Sequence, residues 1–157
     1  MTDVLPLRER PGCIEQLAGW HFAQWGLTNP ASTIERRIER LRGHLLPGRV
    51  PQTFVAVDGE RLLGSASLVS ADLASREDLS PWLASVYVDA PFRNRGIGSA
   101  LVTRVAQEAR SLGFPNLYLF TPDRAAFYAG LGWQAVELAD WHGTQVTVME
   151  LPLQSSS

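Results

Sequence analysis

One segment constrains this chain more than any other: Val86-Tyr87-Val88-Asp89-Ala90-Pro91-Phe92-Arg93-Asn94-Arg95-Gly96-Ile97-Gly98-Ser99-Ala100-Leu101. An apolar strand runs into a loop bearing two arginines and two glycines, and that loop opens an amphipathic helix. A helix N-terminus presents unpaired backbone N–H groups and the positive end of the helix dipole. Glycines at 96 and 98 remove side chains, so an anion can approach those groups closely. Arg93 and Arg95 add fork-shaped donors suited to phosphate oxygens, with Asn94, Ile97 and Ser99 filling the rest of the turn. The segment reads as a pyrophosphate cradle.

Two familiar phosphate loops fail here. The P-loop needs a Lys after its last glycine, and Ser99 follows Gly98 instead. The dinucleotide fingerprint needs a small residue where Leu101 stands. Taken singly, the parts have plainer readings: glycines that ease a tight turn, arginines that form a solvated pair, and a Tyr128 that is core with its hydroxyl at the surface.

The rest of the chain alternates strand and helix patterns. Val4 to Leu7 is a short apolar strand closed by Pro11-Gly12. Ile14, Leu17, Ala18, His21, Phe22 and Trp25 follow helical spacing up to Gly26. Ser32 or Thr33 caps a second helix, with Ile34, Ile38, Leu41 and Leu45 on one stripe and an Arg/Glu face opposite. A hairpin is expected from Phe54 to Val69 about Asp58-Gly59, then a polar loop from Ala71 to Ser80 and a strand from Trp82 to Val88. Ile97 to Leu112 is a helix stopped by Gly113. A strand at 116–120, a helix at 125–131 closed by Gly132, and two strands at 133–138 and 144–151 complete the chain. This order predicts a mixed sheet with helices on its faces, α/β or α+β by scheme. Residues 1–153 are expected to form one domain, with 154–157 as a loose tail.

Composition excludes several function classes. The chain has 157 residues, 45% apolar and 19% charged, which suits one domain with an ordinary core. Fourteen basic against sixteen acidic residues give a net charge of −2, so no nucleic-acid partner is expected. The single cysteine, Cys13, forms no internal disulfide, and His21, His44 and His142 lack metal-ligand spacing, so no metal is expected. The apolar runs are too short for a bilayer and Met1-Thr2-Asp3 does not open a secretion signal, so a cytoplasmic protein without a membrane partner is expected.

Arg93, Gly96 and Gly98 satisfy the pattern Arg-x-x-Gly-x-Gly. Downstream stand Leu117-Tyr118-Leu119-Phe120-Thr121-Pro122 and Ala126-Phe127-Tyr128-Ala129-Gly130-Leu131-Gly132-Trp133. On these residues the chain resembles the GNAT superfamily of acetyl-CoA-dependent N-acetyltransferases, over about residues 4 to 151 and most strongly from Trp82 to Trp133. The resemblance implies a mixed, mostly antiparallel sheet of about seven strands flanked by about four helices. Strands four and five would splay apart to admit the acyl-pantetheine arm. Acetyl-CoA, the co-substrate, would lie against Val86, Tyr87, Val88, the loop from Arg93 to Ser99, Thr121, Phe127 and Tyr128. The backbone N–H of Val88, or of Tyr87, would polarise the thioester carbonyl, and Tyr128 would be the general acid to the departing thiolate.

The same resemblance implies direct attack by an amine in a ternary complex, without an acyl-enzyme on Cys13. The acceptor would be a small-molecule amine or a peptide N-terminus, bound between the first two helices and the last hairpin. Trp20, His21, Trp25, Trp82, Trp141 and His142 stand in those regions. The chain departs from its relatives twice. No acid opens strand four, where Ser80-Pro81-Trp82-Leu83 stands, so Asp72, Glu77, Asp78 or water alone is left as base. Thr121 stands where many relatives carry Asn. The rival reading is a non-catalytic acyl-CoA sensor on the same fold; retention of Tyr128 favours the enzyme. Monomer and homodimer are equally compatible.

Overall fold

The structure, a computed structural model, describes residues 2–26 and 32–153. Among them the chain runs β1 (Asp3–Pro6), α1 (Ile14–His21), α2 (Ile34–Arg42), β2 (Gln52–Asp58), β3 (Arg61–Val69), β4 (Trp82–Val88), α3 (Ile97–Ser111), β5 (Asn116–Thr121), α4 (Ala125–Ala129), β6 (Gln134–Trp141) and β7 (Thr144–Pro152). The seven strands form one sheet in the order β1-β2-β3-β4-β5-β7-β6. All neighbours are antiparallel except β4 and β5, which are parallel. The expected tail, 154–157, lies outside the described residues.

Alternation along β2 and β3 divides the core between the two faces of the sheet. Val55, Val57 and Leu62 pack with Leu17, Ala18 and Leu41 beneath α1 and α2. Phe54, Ala56, Leu63, Ala66 and Leu68 pack with Leu101, Val105 and Ala109 beneath α3. With both faces covered, β2 and β3 are nearly continuous buried runs rather than half-polar ones. Gly64 sits where β3 and β4 come closest: a Cβ there would lie 2.5 Å from the Tyr87 carbonyl oxygen.

Helix ends obey their capping chemistry. Thr33 caps α2, its Oγ1 accepting from the Arg36 N–H at 3.0 Å. Gly113, at φ 89°, ends α3, and the Phe114 N–H reaches back to the Ala109 carbonyl at 3.1 Å. Most boundaries lie within about two residues of the sequence expectation, and three element ends differ by more. α1 ends at His21 and continues as a π-turn over Phe22–Gly26, a widening that helical spacing alone does not distinguish. α2 ends at Arg42, because Gly43 takes the C-cap and His44 turns inward to Thr53 at 2.8 Å. β6 runs on through Trp141, because His142 and Gly143 supply the two positive φ values, 50° and 84°, of a two-residue hairpin turn.

Two irregularities in β4 position the cradle loop and the gap beside it. Against β3, Ser65 pairs with Tyr87 and Ser67 with Ala84, so β4 carries one extra residue, a bulge marked by Ser85 at φ 54°. Against β5, Trp82 pairs with Tyr118, and no second pair succeeds it. The strands meet at one end and part.

Candidate active site

The cradle expected at the start of α3 is built from backbone as much as from side chains. Asn94 (φ 65°) and Gly96 (φ 78°) both take left-handed conformations, which fold the loop into the N-terminus of α3. Gly96 occupies the N-cap, so no side chain caps the first turn and its N–H groups stay available. Buried Ile97 fastens the helix start to the core, while Arg93, Asn94 and Arg95 remain exposed. Arg95 stacks on Phe92 at 5.7 Å. Arg61, at the start of β3, stacks on the same ring at 4.7 Å and adds a third cation that local spacing does not single out.

Gly98 faces the mouth of the gap. A Cβ on it would meet Val88 Cγ2 and Phe127 Cζ, each at 3.8 Å, so a methyl fits but anything larger enters the space between β4 and α4. Gly98, Val88 and Phe127 are thus brought together from three elements. Val86 and Val88 turn their side chains to the α3 face, and Tyr87 turns its ring to the α1 face, 5.4 Å from Trp20, 6.2 Å from Trp25 and 6.5 Å from His21.

The backbone direction separates Val88 from Tyr87. The Asp89 N–H donates to the Leu63 carbonyl on β3 at 2.9 Å. Successive residues of a strand point their backbone groups to opposite sides, so Tyr87 also addresses β3 and Val88 addresses the gap. Arg93 agrees with that direction: its Nε donates to the Val88 carbonyl oxygen at 2.8 Å.

Tyr128 lies on α4 and is 8% exposed. The helix end holds it: Gly132 at φ 100° lets the Trp133 N–H donate to the Tyr128 carbonyl at 3.1 Å. Its ring meets Phe127 at 5.0 Å and Trp133 at 6.0 Å, edge-on. Burial pushes the phenol up to about 12, so it is a proton donor throughout the neutral range. Thr121 has a local task. Its Oγ1 accepts from the Arg124 N–H at 2.9 Å and the Asp123 N–H at 3.4 Å, shaping the turn that delivers α4.

On the opposite face lies a cavity of about 430 Å³ between α2, the strands β3 and β4, and the loop at 71–77. Its walls include His21, Arg37, Arg40, His44, Asp72 and Ser85. Beneath it runs a buried polar network: His21 Nε2 bonds Ser65 Oγ at 3.0 Å, and His44 Nδ1 bonds Thr53 Oγ1 at 2.8 Å, which in turn bonds Ser67 Oγ at 2.8 Å. Desolvation, then the nearby Arg37 and His44, pushes His21 down to about 3; desolvation, then Arg40, takes His44 to about 4. Both are neutral at pH 7. Desolvation pushes the Asp72 carboxyl up to about 6, with Arg40 opposing the rise, although the residue as a whole is exposed and water screens the effect.

Of the three candidate acids, Asp72 and Glu77 line this cavity and Asp78 does not. Arg76 holds Asp78 through two hydrogen bonds, at 2.9 and 3.0 Å, and also pairs with Glu137 of β6. The four candidate tryptophans all lie outside this cavity. Trp82 is fully buried, donates Nε1–H to the Leu79 carbonyl at 2.6 Å, and packs on Tyr118 and Phe120, so it offers no surface to a ligand. Trp20 and Trp25 gather round Tyr87, and Trp141 lies on Phe120 at 5.5 Å; none of the four lines the cavity. Sequence reasoning misses Arg37 and Arg40, which it leaves on the Arg/Glu face of α2, and His44 beyond the helix end. The helical spacing of the two arginines with Leu41 is the available signal.

A strand-to-helix cradle beside parted parallel strands can hold an acyl-CoA, with the missing side chain of Gly98 leaving room for it. The family model described as the acetyltransferase (GNAT) family matches residues 14–133. The chain belongs to that family. Its fold agrees with solved members and neighbours at low sequence identity. An aminoglycoside 6'-N-acetyltransferase complexed with coenzyme A matches with a TM-score of 0.75 at 18% identity, over 100% of this chain and 99% of that one. A Salmonella typhimurium protein solved with its cofactor acetyl-CoA matches with a TM-score of 0.72 at 16% identity, over 100% and 96% of the two chains. In sequence, mouse N-alpha-acetyltransferase 80 is 43% identical over 53 residues, which are 34% of this GNAT chain and only 17% of that protein. No helix among the described residues is long and apolar enough to cross a membrane.

Proposed function

We propose that this GNAT family member transfers the acetyl group of acetyl-CoA to a primary amine by direct attack within a ternary complex. The observation that carries the reading is the parting of β4 from β5 after the Trp82–Tyr118 pair, beside the glycine-opened start of α3. Acetyl-CoA supplies the activated acetyl group as a thioester. Arg93, Arg95 and the first-turn N–H groups of α3 serve the pyrophosphate. The Val88 N–H, turned to the gap, donates to the thioester carbonyl as negative charge grows on its oxygen. Tyr128, protonated at neutral pH, gives a proton to the departing sulfur. Asp72 is mostly ionised above pH 6 and takes the proton of the acceptor ammonium, directly or through water. Cys13 stays out of the reaction: burial raises its thiol, Arg10 opposing, and it packs against the α1/α2 cluster.

Calorimetric titration with acetyl-CoA, CoA, ATP and NAD, then CoA release across an amine panel, tests this. Binding of acetyl-CoA and CoA alone, with CoA released only when an amine is added, is expected. Failure to bind acetyl-CoA, or acetyl trapped on Cys13, would overturn it.

A further inference from the structure

We infer that the cavity on the α2 face takes the acceptor, and that the acceptor is a small amine bearing an anionic group, a carboxylate or a phosphate, a few bonds from its nitrogen. The inference deepens the reading above and rests on it. Arg37 and Arg40 stand three residues apart on α2 and both line the cavity. Side chains at that spacing are neighbours on a helix, and like charges so placed repel; Arg37 is lowered by desolvation and then by Arg40. Among the described residues neither makes an ion pair, although Arg42 and Arg76 each find a carboxylate. The Arg37 Nε is buried without a hydrogen-bond partner. Two adjacent guanidiniums, one with a buried unsatisfied donor, are what a bound anion would complete.

The opposite wall carries the complementary chemistry. Asp72 and Glu77, on the loop, face the same space as the arginines. His21 and His44, both neutral, add no charge and are already bonded to Ser65 and Thr53. A ligand with an ammonium at one end and an anion at the other therefore matches the cavity, whereas a plain alkylamine leaves the Arg37 Nε unsatisfied. The cavity also reaches β4, the strand that carries Val88. Ala84 and Ser85 of β4 form part of its wall, and His21, also on the wall, stands 6.5 Å from the Tyr87 ring. Its volume of about 430 Å³ suits a small molecule.

Matched amines test the inference: β-alanine against propylamine, and O-phosphoethanolamine against ethanolamine, monitored by CoA release at saturating acetyl-CoA. The anionic member of a pair should have a kcat/KM at least about tenfold higher, and the better pair tells carboxylate from phosphate. Arg37→Met and Arg40→Met should each raise the KM of that acceptor about tenfold to a hundredfold and so narrow its advantage over propylamine. Arg37→Lys should restore part of the loss. Calorimetric binding of β-alanine and O-phosphoethanolamine to the CoA-saturated protein gives a readout independent of turnover and should weaken in the same variants. Turnover of propylamine or ethanolamine as good as that of the anionic partner overturns the inference and leaves the acetyltransferase reading intact. Arginine-dependent binding of β-alanine or O-phosphoethanolamine without turnover of any amine leaves an anion site in the cavity but overturns its role as acceptor site together with the acetyltransferase reading.

Discussion

Arg93 Nε donates to the Val88 carbonyl oxygen at 2.8 Å, and its guanidinium lies 5.7 Å from the Tyr87 ring. One side chain thereby ties the cradle loop to the strand end that faces the gap. The placement of the loop's charge and the position of Val88 are coupled through it. Arg93→Ala should weaken acetyl-CoA binding by about tenfold to a hundredfold, the range of a charge-assisted hydrogen bond. It should also lower kcat, because Val88 loses its brace. Calorimetry and steady-state kinetics on the same variant check both effects; an unchanged affinity would remove Arg93 from the site.

Gly98 makes a graded test. Gly98→Ala meets Val88 and Phe127 at ordinary contact distance, so the variant should fold and bind nearly as wild type. Gly98→Val extends into the space between them, and acetyl-CoA affinity should fall at least tenfold with little change in melting temperature. Equal affinity in both variants counts against a ligand in that space.

Tyr128→Phe keeps the ring contacts with Phe127 and Trp133 and removes only the hydroxyl. A thiolate is already a fair leaving group, so turnover should drop toward the low end of general-acid effects, about a hundredfold. Acetyl-CoA binding should hardly move. With the phenol at about 12, wild-type activity should show no loss of an acid below about pH 10. Wild-type turnover in the Phe variant would falsify the general-acid role.

Stability should fall with acid in a defined window. His21 and His44, at about 3 and about 4 when folded, start from an ordinary 6.5. Between those limits the unfolded chain binds more protons, so the stability present above pH 6.5 is lost as pH falls toward 4. Each site contributes a slope of about 1.4 kcal/mol per pH unit. Asp72, raised to about 6, protonates first in the folded state and opposes this, with less than full effect because its open edge is screened. Melting temperature should decline from pH 7 to 4.5, and His44→Gln should flatten the decline. A flat wild-type profile would mean that the two imidazoles are not held neutral.

Gly64→Ala should cost about 1–3 kcal/mol, the usual penalty for overpacking, because its Cβ would press on the Tyr87 carbonyl oxygen. Chemical denaturation measures it; wild-type stability would mean that β3 and β4 separate easily.

The features legible along the chain are those whose causes are local. Residues 86–101 dictate a strand, a cation-bearing turn and a helix, since left-handed glycine, helix dipole and apolar periodicity all act within a few residues. The Thr33 and Gly113 caps were legible for the same reason. The family resemblance added the splayed strands and the role expected of Tyr128, and it placed an amine acceptor between the first two helices and the last hairpin without saying which amine. Tertiary structure alone decided that Val88 rather than Tyr87 addresses the gap, because that depends on which side of β4 is paired with β3. It buried Trp82 beneath Tyr118 and Phe120, residues distant in the chain but adjacent through the Trp82–Tyr118 pair. It also brought Arg37 and Arg40 to Asp72 across a cavity whose walls come from both helices, two strands and a loop. No local pattern records that meeting: the helix spacing of Arg37 and Arg40 is equally compatible with open solvent, and only the packing of α2 over the sheet sets half-buried Arg37 and exposed Arg40 on one cavity wall.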